Sequence, residues 1–196
     1  MNRFALTIFL TSLWAVALTG CDGNLTDRDG NTYKTVKIGN QTWMAENLKV
    51  RTEGSWCYKD MESNCQKYGR LYSWDAAKVA CPAGWHLPGK GEFEALFFAV
   101  GGEDVAGKKL KSTSGWDEYE GKSGNGDDAF GFSALPAGYG FHDGLYVSEG
   151  HYAFFWSSSE SNSSYAYYMN LYYDGGKAYL SYDNYYYGYS VRCVKD

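Results

Sequence analysis

The sequence has no excess of positive charge. Lysine and arginine together number 18 and aspartate and glutamate 23, so the formal net charge of the 196 residues is −5. Proteins that bind nucleic acid through its phosphates need clustered basic side chains to attract the backbone. No nucleic-acid partner is therefore expected.

Closely spaced metal ligands are also lacking. The histidines, His86, His142 and His151, do not occur at zinc-site spacing, and none of the five cysteines forms a Cys-x-x-Cys pair. Asp27-x-Asp29-Gly-Asn31 resembles half of a calcium loop but lacks the closing glutamate, so we interpret residues 27–31 as a turn. We expect no metal and no other cofactor.

Catalytic constellations are not evident. Ser157, Ser158 and Ser159 follow Trp156, but no nucleophile elbow surrounds them, which favours a loop or helix-capping role. Asp127 and Asp128 stand in a glycine-rich stretch typical of a turn. No catalytic residue is assigned, and we expect that the protein is not an enzyme.

The only long apolar run, from Phe4 to Leu18, is too short for a comfortable membrane span and indicates a secretory signal peptide over residues 1–20. It ends in Leu18-Thr-Gly-Cys21, which resembles a bacterial lipobox with Cys21 as the lipidated residue. We expect a tether over residues 21–26, a domain over 27–196, and a lipid-anchored protein of the bacterial envelope, at the outer membrane or cell surface. The membrane face it occupies is left open.

The cysteines agree with export. Apart from Cys21, four remain, and in an oxidising compartment an even number indicates disulfides, with three possible pairings. We predict bonds from Cys57 to Cys65 and from Cys81 to Cys193.

Local patterns predict an α+β fold with two short helices and a loop-rich antiparallel sheet. Tyr33–Ile38 and Gln41–Met44 flank Gly39-Asn40 and predict a hairpin. Helices are predicted over Ser73–Ala80 and over about ten residues from Gly89, where Phe93, Leu96, Phe97 and Val100 share one face. From Val105 onward, short apolar runs between glycine-rich turns predict strands and loops.

Residues 154–196 contain 11 of the 19 tyrosines, interleaved with Asn, Asp, Ser and Gly. Tyrosine suits contact surfaces because its ring is large and rigid while its hydroxyl can stay hydrated. Successive side chains of a strand alternate in direction, so at least one tyrosine of the run 185–187 must be exposed. The predicted ligand-binding residues are Tyr165, Tyr172, Tyr173, Asp174, Tyr179, Tyr182, Asp183, Asn184, Tyr185, Tyr186 and Tyr187.

Six stretches occur in an order that resembles the Fibrobacter succinogenes major paralogous domain family of bacterial exported proteins. They are DGNTYKTVKIGNQTWMAENL from Asp29, WCYKD…C…YGRLYSW from Trp56, CPAGWHLP from Cys81, GFSALPAG from Gly131, FWSSSE from Phe155 and YSVRCVKD from Tyr189. The resemblance covers about residues 27–196. That family is similar to the formylglycine-generating-enzyme branch of the C-type lectin-like fold, which implies this fold here.

The resemblance implies little chemistry. Formylglycine-generating enzymes use paired reactive cysteines in the C-terminal half, where this chain has only Cys193, and the Glu-Pro-Asn, Gln-Pro-Asp and Trp-Asn-Asp strings of calcium-dependent lectins are absent. In some relatives, the segment equivalent to the tyrosine-rich region is a diversified ligand-binding surface. The residue types of 162–188 fit either such diversification or ordinary selection for a tyrosine-rich binding surface.

These observations favour a recognition module that binds an extracellular glycan or protein. The alternatives are a structural or adhesive envelope lipoprotein and, third, an enzyme of the formylglycine-generating class. The oligomeric state is left open.

Overall fold

The structure, a computed structural model, describes residues 25–141 and 143–196. The predicted signal peptide, Cys21 and His142 lie outside the described residues. None of the helices within the described part of the chain has the length and apolar character that a membrane span requires.

Short strands and a few helices make up the described chain. The helices are α1 (Glu62–Tyr68), α2 (Trp74–Ala77), α3 (Lys90–Ala99) and α4 (Glu103–Leu110), with a 3-10 turn at Tyr58–Asp60. The strands are β1 (Leu25–Thr26), β2 (Thr32–Tyr33), β3 (Thr35–Ile38), β4 (Gln41–Met44), β5 (Ser55–Trp56), β6 (Leu71–Tyr72), β7 (Trp85–His86), β8 (Glu118–Tyr119), β9 (Lys122–Ser123), β10 (Tyr139–Phe141), β11 (Tyr146–Val147), β12 (Tyr152–Asn162), β13 (Tyr165–Tyr172), β14 (Ala178–Asn184), β15 (Tyr187–Gly188) and β16 (Val194–Lys195).

The strands form several small antiparallel sheets. The longest strands form a meander in the order β12-β13-β14, and a second sheet has the order β3-β4-β16-β7. A third sheet has the order β11-β10-β15, and the remaining described strands form two-stranded ribbons. The α+β class is confirmed, whereas the C-type lectin-like assignment stays a prediction.

The predicted hairpin is confirmed, with Ile38 opposite Gln41 across the Gly39-Asn40 turn. Its second strand also pairs with the C-terminal strand, where Val194 lies opposite Trp43. On its other side Val194 lies opposite His86. The two ends of the domain therefore meet in one sheet.

The β12-β13-β14 meander lies between two hydrophobic clusters. One face presents Phe155 and Met169 to a cluster that includes Phe93 of α3. The other face presents Trp156 and Tyr168 to a second cluster. Because both faces are covered along most of β12, its run Ala153–Trp156 is apolar without alternation.

Helix α3 is confirmed, and its four predicted apolar side chains are buried. Gly89, which precedes it, cannot cap the helix with a side chain. Instead the Glu92 carboxylate accepts a hydrogen bond from Gly89 N (2.7 Å), and Ser159 Oγ of β12 accepts one from Lys90 N (2.9 Å). Ser159 thus has the predicted capping role, supplied from a distant strand.

Four α-helices are found within the described residues where two were predicted. Helix α1 was missed because its sequence is mostly polar and it buries only Cys65 and Tyr68. Helix α4 was missed because Gly107 interrupts the pattern of helix-forming residues. A Cβ at Gly107 would lie 2.2 Å from the carbonyl oxygen of Lys177, so the close approach of helix and loop requires glycine there.

One further boundary differs from prediction. The helix predicted over Ser73–Ala80 keeps its Ser73 cap but ends at Ala77. Leu25 and Thr26, at the end of the predicted tether, form β1 and pair with β2. The turn that joins these strands forms as predicted, with the Asp27 carboxylate accepting hydrogen bonds from the backbone of residues 29 and 31.

Both predicted disulfides are present. Cys57–Cys65 joins residues 8 apart in sequence, and Cys81–Cys193 joins residues 112 apart. The second bond connects the segment after α2 to the residue that precedes β16.

We expect the two bonds to differ in their contribution to stability. On the chain-entropy relation, replacing Cys81 and Cys193 by alanine should lower the free energy of unfolding by about 5 kcal/mol, and replacing Cys57 and Cys65 by about 2.5 kcal/mol. Denaturant unfolding of the two double variants measures the difference. Equal losses would contradict the assignment of the larger effect to the longer loop.

His86 links the C-terminal residue to the start of α3. Its Nδ1 lies 2.6 Å from Asp196 Oδ1, and its Nε2 lies 2.9 Å from Glu92 Oε1. Burial alone lowers the pKa of His86, but the hydrogen bonds with Asp196 and Glu92 outweigh this effect, so the pKa is raised above its ordinary value.

The raised pKa of His86 predicts a pH-dependent stability. A histidine with a raised folded-state pKa contributes stability that is complete below its unfolded pKa of about 6.5 and is lost as the pH rises through the folded value. His86→Gln should therefore be less stable than the parent at pH 5.5, by less than about 1 kcal/mol because the partners are partly exposed, and the gap should narrow by pH 9. A gap that stays constant across this range would contradict the linkage.

Candidate ligand-binding surface

The predicted ligand-binding residues lie on and around β13 and β14, but the pleat of these strands sends them in different directions. Directly opposite residues of neighbouring strands share a face, and the register places Tyr167 opposite Tyr182 on one face and Asn170 opposite Tyr179 on the other. The residues therefore form three groups rather than one surface.

The first group, here the outer tyrosine group, comprises Tyr165, Tyr167 and Tyr182. The Tyr182 ring makes edge contacts with the rings of Tyr165 (6.2 Å between centroids) and Tyr167 (6.0 Å). Lys90 Nζ lies 4.8 Å from the centroid of the Tyr167 ring, which places the group beside the start of α3. The group combines exposed aromatic area with a nearby cation.

The second group lines a cavity of about 370 Å³, here the turn pocket. Its walls come from the β12-β13 turn, the start of α2, the end of β14 and the two residues after it, namely Ser73, Asp75, Ser163, Ser164, Asn184, Tyr185 and Tyr186. Tyr185 stacks on Trp74 at 4.3 Å with an interplanar angle of 15°, and its hydroxyl donates to the carbonyl of Asn162 (2.7 Å). These contacts hold Tyr185 in one orientation.

The third group, here the aromatic face, lies on the opposite side of the meander from the outer tyrosine group. It contains the predicted residues Tyr172, Tyr173, Tyr179 and Tyr187, together with Tyr139, Phe141, Tyr152 and Phe154. Successive rings lie 4.8 to 6.3 Å apart, so they form one connected aromatic layer.

A buried tyrosine supports this layer from below. Tyr189 stacks on Phe154 at 4.9 Å and on Tyr187 at 5.8 Å. The hydroxyl of Tyr189 donates to Asp183 Oδ2 (3.1 Å). Asp183, one of the predicted ligand-binding residues, therefore already has a structural partner. Burial, and then the charge of Asp183, raise the pKa of Tyr189, which keeps its hydroxyl protonated as a donor.

The loop between β13 and β14, which includes Tyr173 and Asp174, is held by a lysine. Lys111 Nζ donates to the carbonyl oxygens of Tyr172 (2.8 Å) and Gly175 (3.0 Å). Burial, with a smaller contribution from the charge of Lys108, lowers the pKa of Lys111 to about 8. A buried ammonium thus takes the place of backbone pairing within this loop.

The outermost rings are well exposed. Tyr179, Tyr182 and Tyr186 leave 43%, 55% and 71% of their surface accessible, one from each group. Tyr187 is less exposed: it is half-buried at the edge of the aromatic layer and packs against Phe141 at 4.8 Å. The run Tyr185-Tyr186-Tyr187 therefore does not act as one exposed unit.

The predicted ligand residues did not include Tyr139, Phe141, Tyr152 and Phe154, which complete the aromatic face. Tyr139 and Phe141 alternate around Gly140, and this alternation was the available signal for them, whereas the continuous apolar run of β12 gave none for Tyr152 and Phe154. Trp74 gave no such signal, because only the tertiary structure brings α2 beside Tyr185.

Ser157, Asp128 and the nearby His151 each contact other residues of the domain. Ser157 is buried, and its Oγ accepts a hydrogen bond from Ser159 N (3.2 Å). His151 stacks on Tyr173 at 4.4 Å, and its Nε2 lies 3.1 Å from Asp117 Oδ2. Asp128 accepts hydrogen bonds from the backbone N–H and the hydroxyl of Ser133, as a turn residue does.

Within the described residues, the one group of His, Cys, Asp and Glu compact enough to hold a metal ion is Cys57, Glu62 and Cys65. The disulfide between the two cysteines uses both sulfurs. Because zinc binds the thiolate form of cysteine, these residues do not fit a zinc site in this oxidation state.

A substitution of Lys111 tests how the loop between β13 and β14 is held. Lys111→Met should leave the carbonyls of Tyr172 and Gly175 without their donor and destabilise the protein by about 1 to 3 kcal/mol. Amide hydrogen exchange of residues 173–177 should accelerate more than that of β12. The exposed Lys122→Met serves as the control, and equal exchange in both variants would contradict the role of Lys111.

Comparison with known proteins places most of the chain in one family. The model of the Fibrobacter succinogenes major domain matches residues 36–195, a span that includes both disulfides and all three groups. No curated protein and no solved structure matches the chain.

Proposed function

We propose that this chain, which belongs to the Fibrobacter succinogenes major domain family, is a non-enzymatic recognition module that binds an extracellular glycan or protein through its tyrosine-rich surface. The observation that supports this proposal most strongly is the exposure of large aromatic rings on strands whose backbone is tightly held. We further propose that Cys21 carries a lipid anchor at the outer membrane or cell surface and that the fold is C-type lectin-like. The pairing of β16 with the N-terminal hairpin β3-β4 in one sheet supports this fold.

Rigid aromatic side chains suit recognition for an energetic reason. Binding costs entropy when flexible side chains become ordered, and tyrosine has few rotatable bonds for its contact area. Tyr185 is already held against Trp74, and the loop of Tyr173 is held by Lys111. Little ordering would remain for a ligand to impose.

The chemistry of the three groups suits a glycan in particular. Flat ring faces complement the apolar faces of sugars, and the neighbouring polar side chains can exchange hydrogen bonds with hydroxyl groups. Asp75, Ser163 and Asn184 line the turn pocket together with two tyrosines. A cavity of about 370 Å³ lies within the usual range for a small-molecule site.

One observation favours the adhesive alternative. Strand β14 is at the edge of its sheet, and an edge strand can pair with a strand of another chain. An envelope component that assembles through this edge would bury the same tyrosines. The ligand-binding experiment distinguishes the two functions.

The exposed tyrosines provide that experiment. Replacing Tyr179, Tyr182 and Tyr186 together by threonine, which keeps strand propensity, should weaken binding to a glycan array and to insoluble polysaccharides by about tenfold or more, because a few aromatic residues supply most of the energy of a binding surface and the loss of one of them costs over about 1 kcal/mol. Tyr187 is left intact because it packs on the aromatic layer.

The control replaces two exposed apolar residues outside the three groups, Met61 and Phe98, by alanine. Binding that is equally strong in the tyrosine variant and the control would refute the proposed surface. If the parent binds no glycan, either the ligand is a protein or the tyrosines serve assembly. Light scattering of the parent and the tyrosine variant measures assembly.

A further inference from the structure

A cavity of about 500 Å³ lies outside the three tyrosine groups and shares no lining residue with them. Its walls come from β3, the segment after β4, the end of α1 and the loop before β10. The lining residues are Lys34, Thr35, Val36, Ala45, Glu46, Asn47, Lys49, Gln66, Lys67, Tyr68, Gly69, Gly131, Ser133, Leu135 and Arg192.

The charge of this cavity is opposite to that of the whole chain. Four cationic side chains and the single carboxylate of Glu46 give the lining a formal charge of +3, in a chain of net charge −5. Within the described residues, none of the ammonium groups of Lys34, Lys49 and Lys67 lies within 4.0 Å of a carboxylate. Charges of one sign in a concave site focus the electric field and attract oppositely charged ligands.

Two of the three lysines contact aromatic rings instead of carboxylates. Lys67 Nζ lies 4.3 Å from the centroid of the Tyr68 ring, and Lys49 Nζ lies 5.8 Å from that of Tyr33. Such contacts position an ammonium group without neutralising it. The positive charge of both side chains is therefore still available to a ligand.

Arg192 adds a buried charge beneath the cavity. Its Nε donates to Asn47 Oδ1 (2.6 Å), Nη1 donates to the carbonyls of Met44 (3.2 Å) and Phe132, and Nη2 donates to the carbonyl of Ser133 (3.0 Å). Burial lowers the pKa of Arg192 to about 9, and the more distant charges of Asp128 and Glu46 offset this only in part.

Neutral acceptors satisfy the hydrogen bonds of Arg192 without cancelling its charge. In the described part of the chain, no carboxylate forms an ion pair with it. A buried cation without a counter-ion is costly, and an anion bound nearby recovers part of that cost because the interior screens charge weakly.

We propose that this cavity binds a small organic anion, of which a carboxylate-bearing sugar such as a uronic acid is the type that fits best. The volume exceeds what a single inorganic ion needs and falls in the range of small-molecule sites. The apolar surface of Val36, Ala45 and Leu135 suits a sugar face, and the cations suit a carboxylate. This site does not depend on the tyrosine surface.

Isothermal titration of the full-length protein tests the proposal with four probes. These are galacturonate, trigalacturonate, neutral galactose and inorganic phosphate at equal concentration. Galacturonate or its trimer should bind, with an affinity that falls as NaCl is raised, and galactose should not bind. Binding of the trimer alone identifies a glycan chain as the source of the carboxylate, and equal binding of the monomer identifies a free sugar acid.

Paired variants identify the cavity as the site. Lys34→Gln with Lys67→Gln should weaken binding at least about tenfold, because two of the four positive charges of the lining are lost. Lys37→Gln with Lys195→Gln removes the same charge from exposed positions outside the cavity and should leave binding within twofold. Affinity for the neutral sugar equal to that for the acid, tighter binding of inorganic phosphate than of galacturonate, or equal losses in the two double variants would each overturn the proposal.

The tyrosine variant distinguishes this site from the proposed function. Replacing Tyr179, Tyr182 and Tyr186 by threonine should leave galacturonate binding unchanged. A loss of galacturonate binding in that variant would assign the acid to the tyrosine surface and overturn the separate site.

Discussion

The C-terminal segment, residues 189–194, forms backbone hydrogen bonds to residues 44–72 on one side and to β12 on the other. On one side, Tyr72 N, Leu48 N and Met44 N donate to the carbonyls of Tyr189 (2.9 Å), Val191 (2.9 Å) and Cys193 (3.0 Å). On the other side, Ser190 exchanges backbone hydrogen bonds with Phe154 and Trp156 of β12. Because alternate residues of an extended chain face opposite ways, a single segment can join two sheets. The disulfide to Cys81 then fixes it covalently.

The tyrosine surface depends on this segment. Tyr189 supports the aromatic layer from beneath, and its backbone pairs with Tyr72 next to the start of α2. Helix α2 in turn places Trp74 under Tyr185. The rings are thus exposed on a backbone whose mobility is restricted on both sides, which is the condition under which tyrosine contacts cost least entropy on binding.

The same segment also contributes a buried positive charge to a chain whose net charge is negative. Arg192 lies between the buried residues Val191 and Cys193, and its own side chain is also fully buried, on the opposite side of the segment. The carbonyls of Met44 in β4 and of Phe132 and Ser133 in the loop before β10, together with Asn47 Oδ1, accept its hydrogen bonds. Its charge is therefore not cancelled locally, and it adds to the lysines around the cavity in a chain that is otherwise acidic.

Patterns that depend on neighbouring residues could be predicted from the sequence. The β3-β4 hairpin follows from Gly39-Asn40 between apolar strands, and helix α3 from the spacing of Phe93, Leu96 and Phe97. The family also followed from the ordered motifs. Helix α4 could not be predicted. Gly107 is required there by contact with a loop 70 residues later, and no local sequence pattern indicates such a contact.

The candidate site divides in the same way. Composition alone identified the tyrosines of residues 165–187 as unusual, since so many aromatic rings cannot all be buried in one small core. Only the register of β13 and β14 decided that they separate into an outer group, a turn pocket and an aromatic face, because a change of one residue in register would send each ring to the opposite face. The cationic cavity has no local signature at all, because Lys34, Lys67 and Arg192 come from distant parts of the chain and only the tertiary fold, which includes the pairing of β4 with β16, brings them together.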